Sequence, residues 1–316
     1  MPVLERGPDA GATAGSATRA TATVTRRRGP ARRTWRSFGR GIIATVVFFA
    51  GAALLWEGYK GLGALTGNKV PFTDLPLPIA TNDTAMPHLW TIFQALATPA
   101  SSVSDQSLFA YLLQETTVTM REAAYGLVLG ALLGVLIAIV LRELPLFSRG
   151  VVPWLVISQT IPLVALAPII VIWVGRAGLS SWIAVTIISA YLSFFPVTVN
   201  MLTGLNAVEP VHLELMRSTS ATRLQTLWWL RLPASVPSLF SGLRLAATAA
   251  VIGAIVGELS AGTGKGIGRA ILSFAYYYSS GPEKLFAAVL VASLAGVVFV
   301  QIIALIELLV LRRRNA

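Results

Sequence analysis

The sequence has no cysteine, so neither disulfide staples nor thiolate metal centres are available to it. Two histidines, His88 and His212, are too few for a histidine-rich metal site. Charge is scarce: Asp, Glu, Lys and Arg make up 12% of 316 residues, where soluble domains carry about 25%. Acidic residues are the rarer sign, 14 against 25 basic, for a formal charge of +11. Apolar residues fill the space, at 55% of the chain with a mean hydropathy of +0.71. This balance points to an integral membrane protein rather than a soluble domain, and the long apolar runs of the chain make the expected class all-α.

Residues 1–40 are rich in Ala, Thr, Gly and Arg and cannot bury enough apolar surface to order themselves. They read as a disordered basic segment, and 41–316 as one membrane domain. Arg26, Arg27, Arg28, Arg32, Arg33, Arg36 and Arg40 precede the first apolar run. A signal peptide also starts basic, but this run is too long, and no clear small-x-small cleavage site follows Trp56. The cluster reads as a cytoplasmic anchor; a nucleic-acid arm is the other reading of such a run.

Six spans are expected, at about 41–62, 118–141, 151–174, 182–202, 239–259 and 285–311. An external loop is expected over 66–116, with short amphipathic helical pieces at 87–97 and 108–113. Gly126, Gly130 and Gly134 put small residues on one face of the second span, where a neighbouring helix can approach closely. The third span carries Pro153, Pro162 and Pro168 beside Gln159 and Thr160. Prolines in a spanning helix free carbonyls that neighbours or water must satisfy, so such helices tend to line cavities. Gln159, Pro162, Pro168, Asn200 at the polar end of the fourth span, and Glu258 at the outer end of the fifth are the candidate translocation-pathway residues. For Glu258 a helix–helix hydrogen bond or interfacial solvation is the alternative. Glu307 in the sixth span reads as structural, and Arg121 with Glu122 as an interface pair. The Gly-rich stretch 260–283 reads as a flexible external turn. Leu259 and Gly266 stand where a Walker loop needs Gly and Ser or Thr, so Lys265 marks no phosphate site.

Orientation follows from the basic residues. With the amino terminus inside, 18 of the 25 Lys and Arg fall on inner segments. Both termini are then cytoplasmic, and so is the loop 208–235 between the fourth and fifth spans. The basic balance is mainly a topology signal rather than a sign of nucleic-acid binding.

That loop is too patterned for a connector. A short helix is expected at 211–216, a Ser/Thr turn at 218–222, and a second helical piece at 223–230. Pro233 and Pro237 are expected to break any helix that precedes them. Trp228 and Trp229 suit an aromatic belt at the membrane surface. An amphipathic helix lying on lipid is the bland alternative, since Arg217, Arg223 and Arg231 suit anionic headgroups.

The spacing resembles the Glu-Ala-Ala loop of permease subunits in bacterial ABC importers. Glu214, Leu215 and Met216 occupy the first triplet, and Ser220, followed by Ala221, stands at the Gly position. Leu230 follows after nine residues, and Leu232–Pro233 closes the motif. Ser can hold the turn through its side chain, but a backbone needing φ > 0 would be strained there. Further likeness lies in IPLVALAPIIVIWVG (161–175), FFPVTVNMLTGL (194–205), LPASVPSLFSGLRLA (232–246) and GELSAGTGKGIG (257–268). These are similar to the permeases that serve nitrate, sulfonate, taurine and thiamine- or riboflavin-related uptake.

The resemblance implies a type I importer permease fold in a bacterial inner membrane. It implies work in pairs with a second permease, identical or homologous, and with two cytoplasmic ABC ATPase subunits and an external solute-binding protein. It implies no cofactor on this chain, with ATP and Mg on the partner ATPase, and no catalysis by the chain itself. Glu214, Leu215, Met216, Ser220, Ala221, Leu230, Leu232 and Pro233 would couple to the ATPase. An ion-gradient-driven transporter or a non-transporting membrane anchor are the rival readings, separable by co-purification with an ATPase.

Overall fold

A computed structural model describes residues 35–70, 75–101, 104–262 and 264–314. Most of the expected basic segment therefore lies outside the described residues. The chain divides into two units, Met1–Leu54 and Leu55–Ala316. Of the first, the structure describes the beginning of α1 (Trp35–Thr66), a helix that starts six residues before the expected span. The second unit holds α2 (Leu89–Ala95), the antiparallel hairpin β1 (Pro99–Ser101) and β2 (Ser104–Ser107), and α3 (Leu108–Glu143). It continues with α4 (Pro145–Ser158), α5 (Leu163–Arg176), α6 (Ser181–Asn206), α7 (Pro210–Ser218) and α8 (Arg223–Thr226). A π-helical turn over Leu227–Arg231 leads into α9 (Leu232–Ala261), followed by α10 (Ile267–Tyr276) and α11 (Pro282–Arg314).

Among the described residues four helical runs are long and apolar enough to cross a membrane: α3, α6, Arg223–Ala261 and α11. The pair α4 and α5 is apolar enough to cross only when the two are taken together, and it is bent by 97° at its break. The third span expected at about 151–174 is therefore two helices, α4 and α5. Pro162 is the N-cap of α5, and its ring removes the donor that a continuous helix would need there. α3 begins well before the expected second span, because the Ser107 hydroxyl accepts from the Ala110 amide (3.3 Å) and caps it. The separate piece expected at 108–113, and the end of the external loop, are its first turns.

α6 packs along both α3 and α9, and glycine sets the distance. A Cβ on Gly126 would fall 2.2 Å from Ser189 Oγ, one on Gly130 2.8 Å from the Ala190 carbonyl oxygen, and one on Gly134 2.7 Å from that of Phe194. The four-residue glycine repeat is thus the α3 face that meets α6. Gly242 and Gly253 of α9 do the same where α9 meets α6, 2.8 Å by that measure from Asn200 Cβ and Ser189 Cα respectively. The core between these helices is correspondingly small-sided, with Ala123, Ala246, Ala247, Ala250 and Ala254 fully buried. Ser189 Oγ donates to the Ala250 carbonyl (2.9 Å), a cross-helix bond suited to an interior without water. α11 runs along α9, where Arg244 pairs with Glu307 at 2.5 Å, so Glu307 ties two helices together.

The stretch read as a flexible turn contains α10. Gly262, at φ 57°, ends α9 in the left-handed conformation that favours glycine. α10 then returns to the bundle with Ile267, Gly268 and Ala270 buried. Ile267 and Ala270 join Ile92, Leu108, Leu112, Ala287 and Ala288 in a second apolar cluster.

Candidate functional site

α7 starts with Pro210 in its first turn, where a missing N–H costs nothing. None of its residues is buried. Val211, Glu214 and Leu215 fall on one side of it by helical spacing, and all three are exposed. Val211 and Leu215 are 70% and 60% exposed, a bare apolar pair around one carboxylate.

The helix ends in a tight two-bond turn. The Ser220 amide donates to the Arg217 carbonyl (2.9 Å), and the Ala221 amide to that of Met216 (2.9 Å). Ser220 sits at φ 55°, the left-handed region where glycine is preferred. The position where the motif has Gly is therefore one that needs a positive φ, and a serine occupies it. Hydroxyls reinforce the turn: Ser218 Oγ donates to the Leu215 carbonyl (2.8 Å) and Thr219 Oγ1 to that of Met216 (3.0 Å).

The chain re-enters helix at once. The Gln225 amide donates to Thr222 Oγ1 (3.3 Å), and the Thr222 amide to Gln225 Oε1 (2.8 Å), closing a reciprocal cap. Contrary to expectation, Pro233 breaks no helix. It lies in the first turn of α9, and the chain passes from α8 into α9 through the π turn. A proline ring clashes with the carbonyl four residues back in a regular α-helix, and the wider turn relieves that clash. Pro237 lies inside α9 and does not end it either. Leu227 is buried beside Ala138, Met201 and Leu205, and Arg231 Nη1 donates to the Leu205 carbonyl (2.9 Å). Trp228 and Trp229 face outward, 62% and 79% exposed. Leu230, Leu232 and Pro233 are half-buried.

The pathway candidates do not form one cluster. Gln159 caps α4 beside Pro162 at the bend, with its Nε2 buried and without a partner among the described residues. Pro168 lies exposed within α5. Asn200 donates to the Pro196 carbonyl (2.8 Å) and packs on Gly242. Glu258 lies 16 residues beyond Gly242 along α9, roughly 24 Å away at 1.5 Å per residue.

Glu258 is fully buried, and its Oε2 accepts from the Gly268 amide (2.7 Å). Glu115 accepts from the Gly266 amide, and Thr119 Oγ1 from that of Ile267 (2.8 Å). The first amides of α10 thus point at a cradle of side chains from α3 and α9. Glu122, read as half of an interface pair, turns into the same cradle and is 2% exposed, while Arg121 faces outward. No sequence signal announces this cradle, because the groups that meet are far apart in the chain and the Gly run looks like a turn.

Residues 127–314 match the model of the family described as binding-protein-dependent transport system inner membrane component. The chain belongs to that family. It is a multi-pass membrane permease of the ABC transporter class, with the all-α type I permease fold. A probable ABC transporter permease protein of Haemophilus influenzae is 39% identical over 54% of this chain and 69% of its own length. The formylaminopyrimidine transport permease protein ThiX of Halalkalibacterium halodurans is 37% identical over 62% and 74%. The putative aliphatic sulfonates transport permease protein SsuC of Bacillus subtilis is 26% identical over 96% and 97%. The last two names fall in the branch to which the motifs of this permease point.

Proposed function

We propose that this permease is the membrane half of an ATP-driven importer and that α7 is the lever through which a separate ATPase drives it. The supporting observation is the unbroken hydrogen-bonded path from α7 to α9. Turn, reciprocal cap and π turn leave no slack segment between them, so a displacement of α7 is passed to a helix packed on α6. The exposed face of Val211, Glu214 and Leu215 is the surface an ATPase groove would grip. The remaining positions of the motif (Met216, Ser220, Ala221, Leu230, Leu232, Pro233) hold its geometry.

In this reading two permeases, identical or homologous, sit in a bacterial inner membrane with this loop in the cytoplasm. Two ATPases bind below, carrying ATP and Mg, and an external binding protein delivers solute from the other side. The nucleotide stabilises one arrangement of the bundle over the other. The solute is a small anion of the nitrate or sulfonate kind, or a pyrimidine or vitamin precursor, as the names of its relatives suggest. Gln159 and Pro162, at a bend with an amide that has no partner among the described residues, are the pathway residues best placed to meet it, with Pro168 next in line.

Glu214→Lys and Ser220→Trp test the lever in the assembled importer reconstituted in vesicles. Both variants should insert into the membrane, yet substrate-stimulated ATP hydrolysis should no longer support uptake. Full uptake by Ser220→Trp would remove α7 from the coupling path. Uptake driven by an ion gradient with no ATPase present would favour a secondary transporter instead.

A further inference from the structure

On the inward side of α7, opposite Val211, Glu214 and Leu215, lies a half-open cavity of about 460 Å³. Arg142, Arg217, Arg223 and Arg231 line it from four elements: the last turn of α3, α7, α8 and the π turn. Glu143 is the one acidic residue among the lining residues, so the wall carries a net charge of three positive. Among the described residues none of the four guanidinium groups has a carboxylate within salt-bridge distance. Arg231 bonds to the Leu205 carbonyl (2.9 Å), and Arg142 Nε is buried with no partner among the described residues.

Four like charges converging on one cavity repel each other, and a buried donor without an acceptor costs about 1–3 kcal/mol. An anion in the cavity would offset the repulsion and offer the guanidinium groups an acceptor. Planar guanidinium forks match tetrahedral oxyanions through paired N–H···O bonds, better than they match a single point charge. The neighbouring side chains set the depth: Trp228 and Trp229 are exposed next to Arg231, and Leu146 and Phe147 next to Pro145 of the cavity wall. Aromatic and aliphatic side chains bordering an arginine pocket suit the boundary between acyl chains and headgroups.

We propose that this cavity binds a phosphate-class oxyanion, supplied by the headgroup of an anionic phospholipid or by free phosphate. The site goes beyond the importer reading, since it lies on the face of α7 turned away from the proposed lever surface. Bound there, the anion bridges α3, α7, α8 and the π turn. The occupancy of the site therefore sets how firmly the α7 turn is held against the bundle.

The test uses the importer purified with its ATPase, in nanodiscs of phosphatidylcholine with or without phosphatidylglycerol. Phosphatidylglycerol retained per complex is counted by native mass spectrometry, and radiolabelled inorganic phosphate is titrated in the discs lacking it. Arg217→Gln and Arg223→Gln are the test substitutions, as both side chains are exposed and lie at the rim of the cavity. Arg149→Gln, outside the cavity, is the control. Each test substitution should weaken binding roughly tenfold, while the control should not. Loss confined to phosphatidylglycerol assigns the lipid headgroup; loss confined to inorganic phosphate assigns the free ion. The proposal is overturned if the native chain binds neither ligand, or if binding is equal in all variants. It is equally overturned if binding occurs only after the ATPase is removed, which would give the cavity to an acidic side chain of that partner.

Discussion

At the α10 end of the bundle, the side chains of Glu115, Thr119 and Glu258 each accept a backbone amide from the first turn of α10, and all three are buried. At the opposite end, Arg142, Arg217, Arg223 and Arg231 surround open space with a single acidic neighbour. Both places gather ionisable side chains of one kind, carboxyls at one end and guanidinium groups at the other. One has folded its own chain into part of the gap, leaving Glu122 Oε2 and Glu258 Oε1 buried with no hydrogen-bond partner among the described residues, and the other has left the gap open. A cluster answered by local backbone holds a structure together; a cluster left unanswered is where a partner or ligand is expected. The contrast extends to glycine. Gly266, at φ 101°, lets α10 approach so closely that a Cβ there would lie 2.2 Å from the Glu258 carboxyl carbon. At the arginine end, a serine takes the left-handed position and the turn accepts the strain.

The largest expected effect is at the α10 end. Glu258→Ala leaves the Gly268 amide unpaired in a buried site and opens a cavity, which together cost about 2–4 kcal/mol. Thermal unfolding of the detergent-purified permease should show it as a clear fall in midpoint. An unchanged midpoint would mean that α10 is not held by this carboxylate. Gly266→Ala is next, at about 1–3 kcal/mol, because the new Cβ meets the same carboxylate and φ 101° is foreign to alanine. If Gly266→Ala proved neutral while Glu258→Ala did not, the close approach would be incidental and the hydrogen bond alone would matter.

Much of this contrast is hidden in the linear chain, for physical reasons. The glycine repeat on α3 is legible because a helix maps a four-residue spacing onto one face whatever lies opposite. The α7 turn is legible because its bonds span only a few residues: Ser220 and Ala221 close onto Arg217 and Met216. Pro233 misleads, since the same residue that ends most helices is tolerated in a first turn when a wider turn precedes it. The bend between α4 and α5 is foreshadowed by Pro162, but its 97° depends on the surfaces against which the two halves pack. Neither the carboxylate cradle nor the arginine cavity is readable, because each joins residues whose separation in sequence carries no periodic signal. Glu115 and Gly266 are 151 residues apart.

At the arginine end the comparison predicts the opposite sign. Ser220→Gly removes the strain of a left-handed residue with a Cβ and should stabilise the permease by about 1 kcal/mol. Gly also lacks the rotational restriction of Ser in the unfolded chain, which offsets part of that gain. Hydrogen exchange at the Ala221 amide, which closes the turn onto Met216, should slow in the variant. Faster exchange would mean that the serine hydroxyl contributes more than the strain takes away.

The smallest effect lies beside the α10 end, where Lys60 is 5% exposed and donates to both Asp83 (2.5 Å) and the Met86 carbonyl (2.5 Å). Its hydrogen bond and charge hold the Asp83 carboxyl below the usual carboxylate range. A carboxyl with a lowered folded pKa contributes stability that is present above its unfolded pKa, near about 4, and fades as pH falls through the folded value. Asp83 is 83% exposed, so solvent screens most of the interaction and the change is modest. Unfolding midpoints measured from about pH 6 down to about pH 3 should therefore decline slightly more steeply for the native chain than for Asp83→Asn. Parallel profiles would show that the Met86 carbonyl alone satisfies the buried ammonium, and that this end is held by backbone acceptors there as it is by backbone donors at α10.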